Sequence, residues 1–230
     1  MTESDRQFIW LITAILYMIA LGWAASHTEQ WLELPRGRHK VTWQDAHVCT
    51  GDLLLFSSHP TLRTDVEKLL CGSQFTHVAL IFVDAAGQPY VWECLLSGHR
   101  MSPLATVLAK AAPHQSIFWR RINRPLDGRE FERFVRHNLA HPYSFNLWRG
   151  VVRRWCSSLY LPQAPASNAR FCSQLVAETY ECLGALDFTH SANLSPNLVL
   201  PGDFGAGRGF TLPWVNGYSL GGEVELLVVS

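Results

Sequence analysis

Residues 171–184 read FCSQLVAETYECLG, and the reading of the fold turns on this stretch. Leu175, Val176, Thr179, Tyr180 and Leu183 recur at three- and four-residue spacing, which predicts an amphipathic helix that Gly184 stops. Cys172 then falls in the first turn, where unpaired N–H groups and the positive end of the helix dipole favour thiolate over thiol. A cysteine on such a helix is more often a small buried hydrophobe than a nucleophile. What raises Cys172 above that reading lies upstream. His77 sits in FTHVALIFVD (75–84), a predicted strand, and Glu93 sits in YVWECLL (90–96), the next strand-like run. Counting outward from the DAAG turn at 84–87, Glu93 falls within about two residues of the position opposite His77 in an antiparallel pair. A carboxylate can meet an imidazole at that separation; the alternative is a strand-edge glutamate facing water. Nucleophile, base and orienting group are thus all present in one chain.

Working outward, TGDLLLFSS (50–58) predicts a turn at Gly51-Asp52 and an apolar strand from Leu53 to Phe56. TLRTDVEKLLCG (61–72) reads as a short helix ending at Gly72. SPLATVLAKAA (102–112) reads as a helix, SIFWRRI (116–122) as a strand, and DGREFERFVRHNL (127–139) as a charged amphipathic helix with Phe131, Phe134 and Val135 inward. Residues 141–170 form a long basic and aromatic connection. Its Arg149, Arg153 and Arg154 suit either solvated surface or contact with lipid headgroups or an acidic partner. LSPNLVLPGDF (194–204) predicts a short Pro-started helix and GEVELLVVS (222–230) a closing strand.

The chain has 230 residues, with 19 Lys plus Arg against 19 Asp plus Glu, so no overall charge field argues for nucleic acid. Phe8 to Ala25 contains no charged residue. As a helix it reaches about 27 Å, close to a hydrocarbon core, with Trp10, Tyr17 and Trp23 as interfacial aromatics. A cleaved secretory signal is the competing reading, but MTESDRQ lacks a basic n-region. The expectation is therefore a tail at 1–7, a retained transmembrane anchor at 8–25, a linker at 26–48 and one domain over 49–230. Arg36, Arg38 and Lys40 after the run, against Arg6 before it, place that domain on the cytoplasmic side of a single-pass membrane protein. The bilayer is then one expected partner.

Cys49, Cys71, Cys94, Cys156, Cys172 and Cys182 form no dense framework and no CxxC pair, so neither a disulfide scaffold nor a zinc knuckle is indicated. Cys71 with His77, or Cys94 with His99, lacks the spacing of structural zinc. No metal or cofactor is expected.

The order of parts, with His77 and Glu93 ahead of Cys172, resembles the circularly permuted branch of the NlpC-type papain-like superfamily. That branch holds the YiiX/YaeF-like proteins, relatives of lecithin:retinol acyltransferase and a poxvirus group. The resemblance rests on GDLLLF (51–56), THVALIF (76–82), YVWE (90–93), HPYS (141–144), FCSQLV (171–176) and LSPNLV (194–199), which together span most of residues 49–205. It implies an α+β fold, an antiparallel sheet packed on helices, here preceded by one transmembrane helix. It also implies Cys172 as nucleophile, His77 as base and Glu93 as the polar third member. The chain departs from the pattern at Gln174, Ser144 and Ala79, where the family often has Glu, Asp and Gly. Tyr143 is a frequent family residue.

The implied chemistry is attack of a thiolate on an amide or ester carbonyl, giving a thioester acyl-enzyme. Glu93 would orient the imidazole, and the backbone N–H of Cys172 would serve as an oxyanion donor. Water as second substrate gives a hydrolase; an amine or alcohol gives an acyltransferase. Lipid-derived or peptide amides and esters are the expected substrates, the lipid preference following from the tether and from the stretch Tyr143 to Tyr160. Two readings from other classes stay open: a catalytically silent membrane or virion structural protein on this fold, and a lipid-binding module.

Overall fold

The run Leu53–Phe56 shows no polar alternation because it lies in the middle of a sheet covered on both faces. In the computed structural model, residues 39–144, 148–155, 168–191, 194–206 and 211–228 are described. Strand β1 is Lys40–Thr42, β2 Leu53–Ser58, β3 His77–Val83, β4 Pro89–Leu95, β5 Gly98–Pro103, β6 Gln115–Ile122 and β7 Leu220–Leu227. They form one sheet in the order β1-β7-β6-β2-β3-β4-β5. All pairings are antiparallel except β1 with β7, which is parallel. β1 falls in the stretch read as a connection, and β5 had no strand signal of its own.

Alternation along the strands divides the core. Leu53 and Leu55 share one face with Val78, Leu80, Phe82, Trp92 and Cys94, while Leu54 and Phe56 share the other with Ala79, Ile81 and Val91. Helices α1 (Leu62–Cys71), α2 (Leu104–Ala111), α3 (Gly128–Asn138), α4 (Trp148–Trp155) and α5 (Cys172–Cys182) complete the domain. The first face carries α5 and α3, through Leu175, Val176 and Tyr180 of the one and Phe131 and Val135 of the other. The second carries α2 through Leu104, Val107 and Leu108. Local chemistry sets the ends: Thr61 and Thr64 form a capping box on α1, and Gly72 closes it in the left-handed region. α4 lies inside the long basic connection, where no helix was expected. LSPNLVLPGDF folds as two 3-10 turns, Pro196–Leu198 and Pro201–Phe204, instead of one helix.

Asp52 is more than a turn residue. Fully buried, its carboxylate accepts hydrogen bonds from Cys49 N and Sγ (2.9 and 3.1 Å), Trp119 Nε1 (2.9 Å) and Ile122 N (2.9 Å). It thereby locks the start of β2 onto β6.

One expectation is corrected. The run at 8–25 lies outside the described residues, and no helix among the described residues is long and apolar enough to cross a membrane. The longest of these, α3 and α5, have 11 residues each. That is about 17 Å of helix, against a hydrocarbon core of about 30 Å. The transmembrane helix preceding the fold, and with it the single-pass membrane placement, is therefore withdrawn.

Candidate active site

α5 brings Cys172 to the sheet. The helix buries Leu175, Val176, Thr179 and Tyr180, the residues picked out by periodicity, together with Cys172, Ser173 and Ala177. Two hydrogen bonds fix its seat, Tyr180 Oη to the Gly51 carbonyl (2.8 Å) and Ser173 Oγ to the Val199 carbonyl (2.7 Å), while Thr179 Oγ1 is satisfied within the helix by the Leu175 carbonyl (2.7 Å). At the N-terminus Phe171 is the N-cap and offers no side-chain acceptor, so the first-turn amides beside Cys172 are left uncapped.

The preceding residues are braced on two sides. Arg170 pairs with Glu178, and Gln174 Nε2 donates to the other oxygen of that carboxylate at 2.8 Å. A glutamate at 174 would repel Glu178 one turn on, which gives Gln174 a local reason. The HPYS segment supplies the second brace: Tyr143 bridges Arg170, Ser144 N donates to the Arg170 carbonyl at 2.7 Å, and Cys94 Sγ donates to the same carbonyl at 3.0 Å. Burial, with Cys172 nearby, holds the Tyr143 phenol well above its ordinary pKa. HPYS is itself held by the β4–β5 turn, where His99 N donates to the His141 carbonyl at 2.9 Å. Gly98 is required there: its φ is +105°, and a Cβ would stand 2.7 Å from that carbonyl oxygen.

His77 opens β3, opposite Phe56 in the register and 5.2 Å from its ring. The β3–β4 register pairs Leu80 with Trp92; continued three pairs, it sets His77 opposite Leu95, two residues from Glu93, as the count from the turn predicted. His77 Nε2 is 2.9 Å from Glu93 Oε2. Cys172 lies close enough to the same imidazole to act on its charge. Burial alone would lower the His77 pKa. The charge and hydrogen bond of Cys172, then those of Glu93, outweigh burial and raise it to about 10. Glu93 is 3% exposed. Burial pushes its pKa up, but His77 and then Arg100 bring it below the ordinary carboxylate value.

Arg100 was missed by the sequence reading. It faces Glu93 directly across β4–β5, and its Nε and Nη2 donate to Glu93 Oε1 at 3.0 and 2.8 Å. The signal was the Ser97-Gly98 dipeptide: folding the chain back there sets Arg100 opposite Glu93. Other thiols sit in different surroundings. Cys49 is raised to about 12 by burial and by Asp52, Cys94 to about 12 by burial and by Cys172, and Cys182 upward by burial. Cys156 lies outside the described residues. Among the described residues, no group of three or more His, Cys, Asp or Glu side chains is placed to hold a metal ion.

An N-terminal sheet-borne histidine and acid, followed by a cysteine at a helix start, is the permuted order of a papain-like site. The sequence profile of the permuted papain-like amidase enzymes of the YaeF/YiiX type, the C92 family, matches residues 47–199, and the chain belongs to that family of cysteine-type amidases. Among solved structures the chain is similar to the crystal structure of metalloprotein yiiX from Escherichia coli O157:H7. The two are 17% identical, the match covers 66% of this chain and 79% of that one, and the TM-score is 0.47. No curated protein matches the chain.

Proposed function

We propose that the chain is a cysteine amidase in which Cys172 is the nucleophile, His77 the general base and acid, and Glu93 the carboxylate that orients the imidazole. The observation that carries this reading is the shared imidazole: Glu93 meets His77 Nε2 at 2.9 Å, and Cys172 at the α5 start is near enough to act on the same ring. An imidazole raised to about 10 is cationic at neutral pH, the partner that a nucleophilic sulfur needs. The thiolate adds to an amide carbonyl, and the first-turn N–H of Cys172 faces the developing oxyanion. His77 gives its proton to the leaving amine as the C–N bond breaks, leaving a thioester. The neutral imidazole then takes a proton from water, whose oxygen attacks the thioester. The C–S bond breaks, the carboxylic acid departs, and the thiolate returns beside imidazolium.

An amine or alcohol in place of that water would give acyl transfer. His77 keeps 18% of its side-chain surface open to solvent, so water reaches the ring and hydrolysis is the reading taken. The substrate class is an amide. A preference for lipid-derived acyl groups rested on a membrane tether and on the stretch 143–160, much of which lies outside the described residues.

The test is thiol alkylation mapped by mass spectrometry at pH 6, with Cys49 and Cys182 as internal comparators. Cys172 labels first with iodoacetamide, and His77→Ala slows that labelling by about tenfold or more, one pKa unit being a factor of ten. Hydrolysis of a peptide-amide library is lost in Cys172→Ala. Labelling of Cys172 no faster than Cys49, or hydrolysis that survives Cys172→Ala, would sink the reading.

A further inference from the structure

Glu93 presents a buried carboxylate with its two oxygens assigned to different partners. Oε2 meets His77 at 2.9 Å, while Oε1 takes a two-pronged contact from Arg100 Nε and Nη2 at 3.0 and 2.8 Å. Both nitrogens of the guanidinium meet the one oxygen Oε1, a charge-assisted contact that holds that oxygen and leaves Oε2 to His77. The register opposes Glu93 and Arg100 across the β4–β5 hairpin, so the contact is built into strand pairing and not into a mobile tip. Arg100 is 41% exposed and Glu93 3%, so the arginine reaches in from the rim of the sheet. His77 from β3 and Arg100 from β5 face the carboxylate, Cys94 follows it on β4, and Cys172 from α5 acts on the imidazole.

We infer that Arg100 is a positioning residue for the thiol chemistry: it keeps Glu93 ionised and turned toward His77 throughout the cycle, including the steps in which His77 is neutral. The inference rests on the Cys172–His77 reading above. Its physical core is a charge count. When His77 gives up its proton to the leaving group, Arg100 is the cation that remains bonded to Glu93 among the described residues. A buried carboxylate without a cation takes up a proton. Protonated, it no longer supports the positive charge that the imidazole must take up when it accepts a proton from water. Arg100 removes that escape, since its guanidinium stays charged at every working pH.

The experiment is the pH profile of Cys172 alkylation by iodoacetamide, from pH 5 to 9, in the full chain carrying Arg100→Gln, Arg100→Lys, Glu93→Gln or Glu93→Gln with Arg100→Gln. In Arg100→Gln the acid limb moves up by about one unit, so that labelling slows about tenfold at pH 6 and by less than about twofold at pH 8.5. Arg100→Lys stays within about threefold of the parent at both, because a cation remains beside Oε1. With Glu93→Gln in place, adding Arg100→Gln changes little further, because the group through which Arg100 acts is gone. A merely structural arginine would lower thermal stability and leave the profile where it was. Coincident profiles for the parent and Arg100→Gln overturn the inference, as does an equal further loss in the Glu93→Gln background. Should Arg100→Gln fail to fold, the double variant, which strands no buried charge, is compared with Glu93→Gln alone, and Arg100→Lys with the parent. Absence of His77-dependent labelling in the parent instead removes the thiol reading and this inference with it.

Discussion

His77 feels both Cys172 and Glu93, and their order of importance is open to measurement. Cys172 raises the imidazole pKa more than Glu93 does, and together they outweigh a burial effect of opposite sign. A ring titration followed by NMR should therefore show His77 losing its proton near pH 10. Cys172→Ala should pull that transition down further than Glu93→Gln does, because the larger of the two supports is gone. A transition near pH 6.5 in the parent chain would mean that His77 and Cys172 do not form a charged pair. One residue that departs from the family pattern is accounted for by its neighbour: Gln174 donates to Glu178 where a glutamate would repel it.

At the level of elements, the site depends on β2, which contributes no site residue. Its neighbours β3 and β6 are set against it by register, and Asp52 fixes its first residue by taking four donors at once. Asp52→Ala strands Trp119 Nε1, the Ile122 N–H and the Cys49 N–H in the interior. With each stranded buried donor costing about 1–3 kcal/mol, the loss should be about 3 kcal/mol or more, read as a lower guanidinium midpoint. An unchanged midpoint would mean that water replaces the carboxylate without penalty. The α5 start shows a different economy of design. Leaving Phe171 as N-cap forgoes about 1 kcal/mol of capping, and it keeps the first-turn amides beside Cys172 free of a competing side-chain acceptor.

The domain as a whole carries an acid-sensitive group away from the site. His99 is 3% exposed; burial holds its pKa down to about 4, only partly opposed by the Asn138 carbonyl that accepts from Nδ1 at 2.9 Å. An unfolded histidine titrates near pH 6.5. Between pH 6.5 and 4 the unfolded chain binds a proton that the folded chain refuses, so stability rises with pH across that window. It is fully present above pH 6.5, is lost progressively on acidification, and stops falling on this account below about pH 4. Urea midpoints measured from pH 7 to 4.5 should therefore fall in the parent and fall less steeply in His99→Gln. Parallel slopes would assign the acid loss to carboxylates instead.

Much of this was legible in the chain itself. β2, β3 and β4 are short apolar runs bounded by turns, α5 carries a helical apolar period, and a short turn at Asp84 to Gly87 fixes the β3–β4 register closely enough to bring Glu93 to His77 by counting. The order of His77, Glu93 and Cys172 then identified the permuted family. Tertiary structure decided the rest. β5 is an edge strand with little apolar surface to bury, so Gly98–Pro103 shows no alternation, and Arg100 was invisible as a partner of Glu93 until the hairpin was closed. β1 and α4 likewise take their form from neighbours distant in sequence. The apolar run at 8–25 suggested a membrane span that no described helix supplies. Local periodicity reports what each segment buries; only the pairing of strands reports what a buried charge rests against.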